Sequence, residues 1–102
     1  MTGFKLDARA RLSIALALTA AGGDALLTRQ QEEDAKALGM SGAEVDMARS
    51  GSSFDFQVSR ALALALAPND EQRERAVRAG LSVHVCAEIE EIAALYKNRS
   101  LP

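Results

Sequence analysis

A chain of 102 residues, 48% hydrophobic and 25% charged, has the material for one domain and one core, not two. Its 12 basic and 14 acidic residues leave a net charge of −2, and aromatics make up only 4%; neither nucleic acid nor an anionic membrane surface is an expected partner. A single cysteine excludes an internal disulfide framework and any multi-cysteine zinc site.

Alanine and leucine make up about a third of the chain, and both are strong helix formers. β-branched residues, the usual material of strands, are sparse. The predicted fold is therefore all-α, one compact domain of about six helices spanning residues 1–102.

The first helix is predicted over residues 7–21, stopping at Gly22-Gly23. Its Leu12, Ile14, Leu16 and Leu18 alternate as in a strand, but the residues between them are mostly alanine rather than polar. Such a run reads as a helix apolar almost all round, buried in a core or at a subunit interface. Lys5, Arg9 and Arg11 before this run give it the outline of a signal peptide. Asp7 interrupts the basic region, and cleavage near Gly22 would leave a diminished core, so a cytoplasmic location is expected. No apolar run reaches the ~18 residues of a membrane span.

Asp24 is a good N-cap for the second helix, which ends at Gly39 in the C′ position. Within it Gln31 shares a side with Leu27, Ala35 and Leu38 and is expected to point inward and be hydrogen-bonded. Ser41 and Glu44 have capping-box spacing and start a short third helix that stops near Gly51. A loop of small polar residues, 50–53, leads to a fourth helix over residues 55–67. Its Leu62, Leu64 and Leu66 repeat the Ala/Leu pattern, and Pro68 ends it. Asn69 or Asp70 caps a fifth helix that ends at Gly80. The last runs from near Ser82 to Asn98. Glu71 with Arg75, and Glu74 with Arg78, are spaced as helix-surface ion pairs and carry no function.

Chemistry-bearing residues are few. Cys86 and His84, the only thiol and the only imidazole, stand two apart on the last helix, about 200° around its axis. They cannot meet as a nucleophile and base. Cys86 shares its apolar spacing with Ile89, Ile92 and Tyr96 and is expected as a small buried hydrophobe. His84, in the first turn, is expected to be partly exposed. No phosphate-binding glycine loop, zinc spacing or nucleophile elbow is present, so no metal or cofactor is expected.

Several phrases resemble the alkylhydroperoxidase D-like (AhpD-like) branch of the carboxymuconolactone decarboxylase family. Leu6-Asp7-Ala8-Arg9-Ala10-Arg11-Leu12 looks like its lead-in helix. Gly22-Gly23 stands at its small-residue turn. Ala35 and Gly39 look like the close of its motif helix. Residues 55–67 resemble the following helix, which opens acidic and continues in Ala/Leu. Ala79-Gly80-Leu81-Ser82 with Glu88-Ile89 resembles a further phrase, and Leu95-Tyr96-Lys97-Asn98 its ending. The resemblance covers nearly the whole chain. It implies an orthogonal helical bundle assembled as a dimer, trimer or hexamer.

The motif positions depart from that pattern. The family's Cys-x-x-Cys falls on Asp24 and Leu27, its histidine on Gln31 and its proton-relaying glutamate on Leu12. Thiol redox chemistry needs a thiolate and a resolving thiol, which these residues do not supply. The expected role is an oligomeric scaffold that binds a partner or a small apolar ligand. The alternative is a peroxidase-type or decarboxylase-like enzyme with relocated residues: Asp24 as a general base with Gln31 orienting substrate, or Cys86 alone attacking peroxide.

Overall fold

Six helices in chain order make up the computed structural model, which describes residues 4–99: α1 (Ala8–Thr19), α2 (Ala25–Ala37), α3 (Gly42–Arg49), α4 (Phe56–Leu66), α5 (Asp70–Arg78) and α6 (Val83–Arg99). Among the described residues there is no strand. The helix ends follow the local chemistry. Asp7, Asp24 and Asp55 each turn a carboxylate back onto the first-turn backbone N–H groups of α1, α2 and α4. Of the two candidates for α5, Asn69 is the cap; its Oδ1 accepts from the Gln72 N–H at 2.9 Å. The Ser82 hydroxyl accepts from the Val85 N–H at the start of α6.

Glycine closes α2 and α3. Gly39 has φ 77° and Gly51 φ 87°, the left-handed region that side chains rarely enter. At the end of α2 the Met40 N–H donates back to the Ala35 carbonyl at 2.9 Å and the Gly39 N–H to that of Lys36 at 3.0 Å. This is a Schellman motif, and it folds Met40 onto Ala35 in one apolar cluster. At Gly51 a Cβ would also stand 2.9 Å from the Leu66 Cδ1, a contact that the half-exposed leucine can relieve by turning, so the demand for glycine there is the positive φ.

α1 lies at the centre, against α2, α3, α4 and α6, while α4 packs in turn on α5 and α6. The molecule is a slab of 36 × 34 × 18 Å. Two apolar clusters fill it. Ile14 and Ala17 join Ala61, Leu62, Leu64, Ala65, Ala76, Leu81, Cys86 and Ile89. Leu16, on the other side of α1, joins Ala35, Met40, Val45 and Ala48. This accounts for the all-round apolar character of α1 and of the middle of α4: Ile14, Leu16, Leu62 and Leu64 are covered inside the chain itself. The large apolar side chains left in solvent include Phe56 and Leu66 at the two ends of α4, together with Leu26, Phe54, Val83 and Leu95 on other elements.

Polar ties link the helices at the rim. Arg9 reaches Glu44 at 2.7 Å, Arg11 reaches Glu88 at 3.1 Å and Arg73 reaches Glu90 at 2.7 Å. Of the two pairs expected on α5, only Glu71–Arg75 is formed. The Gln57 Nε2 donates to the Ala79 carbonyl at 2.9 Å and ties α4 to the end of α5.

Glu44 closes the capping box with Ser41 and also faces Arg9. The Ser41 backbone N–H first, and then the Arg9 charge, hold its carboxyl below the ordinary 4.5. A lowered native value means that this stabilisation is present above pH 4.5. It is lost as pH falls through the native value. Glu44→Gln is therefore expected to lower stability at neutral pH and to flatten its acid dependence. Denaturant midpoints of the two proteins should converge between about pH 6 and about pH 3; parallel curves would remove Glu44 from the linkage.

Candidate functional site

The residues singled out in the sequence fall at two separate places. Asp24 and Gln31 flank the first two turns of α2, and Cys86 lies inside α6. At the first place, the Asp24 Oδ1 accepts from the Leu26 and Leu27 N–H groups at 3.0 and 3.1 Å. The carboxylate is thus engaged as an N-cap. Three residues on, Leu27 is 40% exposed. This departs from the inward side expected of it. Gln31 explains why: its Nε2 donates to the Thr19 hydroxyl at 2.9 Å, and Thr19 is the last residue of α1. Leu27, one turn earlier on α2, projects past the end of the helix it would have packed against.

Gln31 itself is buried as expected, with 6% of its surface exposed. The Thr19 hydroxyl that it meets donates onward to the Ala15 carbonyl at 2.7 Å. The amide therefore ends a short hydrogen-bonded chain that fastens α2 to α1, and its Nε2 is occupied there. Leu12 packs on the cluster around Leu16. No thiol, imidazole or uncommitted carboxylate stands between α1 and α2 at this place.

Cys86 is fully buried within the larger apolar cluster. Burial pushes its thiol above the ordinary 9.0. The Glu90 carboxylate adds to that rise, and Arg73 opposes it. A nucleophilic cysteine needs the reverse, an accessible sulfur with a lowered value. His84 is on the surface, with its Nε2 3.4 Å from Glu88 Oε1. That carboxylate also accepts from Arg11. Cys86 and His84 are not brought together.

The sequence did not point to the clefts. The larger one, about 580 Å3, opens where the N-terminal ends of α1, α3 and α4 converge, between Ala10, Ser13, Met40, Phe54 and Val58. The Arg9–Glu44 pair lines it. Its acids are committed: Asp7 and Asp55 are N-caps and Glu44 serves Ser41 and Arg9. The three capping signals were readable singly, but nothing local says that the three ends meet. A second cleft of about 530 Å3 is more apolar and lies between α1, α4 and α6, lined by Leu18, Ala65, Leu66, Ala93 and Tyr96.

Among the described residues no group of three or more His, Cys, Asp or Glu side chains is placed to hold a metal ion. No helix among them is long and apolar enough to cross a membrane. No protein-family model, curated protein or solved structure matches the chain.

Proposed function

We propose that this chain is a non-enzymatic relative of the AhpD-like proteins, a cytoplasmic helical scaffold that works as a homo-oligomer. The observation that carries the reading is the state of the four motif positions together with the only thiol. Asp24 is tied to its own helix, Leu27 lies at the surface, Gln31 is bonded to Thr19, and Leu12 is packed. Cys86 is closed off in the core. A one-cysteine peroxidase would need that sulfur at the surface, and a general base at Asp24 would need a carboxylate free of its cap. The relation to the AhpD-like family rests on the sequence phrases, and a fold does not carry an activity with it. The small apolar ligand of this reading would lie in the cleft between α1, α4 and α6, against Leu18, Ala65, Leu66 and Ala93, which Glu90 and Lys97 also line.

Hydroperoxide consumption with a dithiol reductant tests the reading, with the purified protein beside its Cys86→Ser variant. Neither is expected to exceed the uncatalysed rate. Turnover by the wild type that the variant loses would make Cys86 a nucleophile and overturn the proposal.

A further inference from the structure

α2 is anchored along one side only. Gln31 and Ala35 are buried and Leu38 is half-buried, all on the side that meets α1. Helical spacing puts Leu26, Arg29, Glu33 and Ala37 on the opposite side, and all four are exposed. Leu26 is 79% exposed, the most open of the large apolar side chains described. Arg29 and Glu33 stand four apart on one helix, yet they do not pair with each other. Neither has an ion-pair partner elsewhere among the described residues. Thirteen residues are a marginal length for a helix packed on one side.

This stripe is complementary to itself in one orientation. Laid antiparallel on a second copy and centred near Gln31, it sets Arg29 of each chain against Glu33 of the other, twice. It also brings Leu26 over Ala37 and the Lys36 stem at each end, covering the exposed leucine. Laid parallel and in register, the same stripe sets arginine on arginine and glutamate on glutamate, which is repulsive. A two-fold axis is the operator that meets this condition. We propose that the outward face of α2 is a homodimer interface, with the two α2 helices antiparallel and Arg29 paired to Glu33 across the axis. The inference rests on the oligomeric reading above and names the surface and the partner.

The charge pattern makes the test specific. Arg29→Glu and Glu33→Arg each turn both cross-axis pairs into like-charge contacts. Each variant is expected to weaken dimerisation at least about tenfold, read by sedimentation equilibrium from micromolar to near-millimolar concentration. Mixed one to one, the two variants again present opposite charges at both contacts. They are expected to form a heterodimer about as tight as the wild-type dimer. Circular dichroism melts establish that each variant is folded, and both positions are on the surface. Self-association that neither substitution alters overturns the interface and leaves the scaffold reading standing. So does weakening by each variant without rescue on mixing. A wild type that is monomeric at every concentration overturns both.

Discussion

Ile14→Ala and Leu16→Ala are each expected to cost about 2–5 kcal/mol. The two side chains are fully buried, two residues apart on α1, and belong to different clusters. Ile14 meets α4 and α6 residues such as Leu62, Leu64 and Ile89; Leu16 meets Val45 and Ala48 of α3 and Ala35 of α2. Either cost is a large share of the ~5–15 kcal/mol that holds a domain of this size. Where an alanine variant fails to fold, Ile14→Val at about 0.5–1.5 kcal/mol keeps the measurement possible. Denaturant titration reads the loss. The contrast that makes the result informative is Leu26→Ala, expected within about 0.5 kcal/mol for the monomer because the side chain is already in solvent. Equal costs at positions 14, 16 and 26 would mean that α1 is not the double-sided centre described.

The outline of this fold was legible because its punctuation is local. A capping box needs only Ser41 and Glu44. Gly39 and Pro68 stop helices through their own backbone geometry, whatever lies around them. The two-sided burial of α1 was not legible in the same way. An Ala/Leu helix announces that it is covered, but the sequence cannot say whether the cover is the same chain or another copy. Here α3 and α4 supply it for α1, so the Ala/Leu pattern of α1 is no evidence for an interface, and the argument for one rests on the outward face of α2. Leu27 shows the limit of periodicity. Its spacing with Gln31 and Ala35 is right for the inner face, yet α1 ends at Thr19 and leaves it uncovered. At the candidate site, the residue types alone showed that no thiol or imidazole accompanies Asp24 and Gln31. What Asp24 and Gln31 do instead was half legible: the N-cap is a local feature, while the Thr19 partner is twelve residues away.

Cys86 in the native protein is expected to resist a thiol reagent such as 5,5′-dithiobis(2-nitrobenzoate) almost completely at mildly alkaline pH. Two effects act in the same direction. The sulfur is out of reach of the reagent until the surrounding cluster opens, and Ile89 and Leu81 beside it belong to the most deeply buried part of the chain. Its thiolate fraction is also reduced, because burial and the Glu90 carboxylate raise the value and Arg73 only partly offsets them. If labelling requires global opening, a stability of about 5 kcal/mol slows it roughly 10³-fold or more relative to the unfolded chain. The rate should then follow denaturant concentration with the same slope as unfolding. A raised native value also means that this thiol contributes stability below pH 9.0, which fades as pH rises through the native value. Cys86→Ser places a hydroxyl in the same apolar surroundings and is expected to be destabilising by about 1–3 kcal/mol, as a buried donor without a partner is. Rapid stoichiometric labelling of the folded protein would place the sulfur at the surface, and with it would return the one-cysteine peroxide chemistry that its burial argues against.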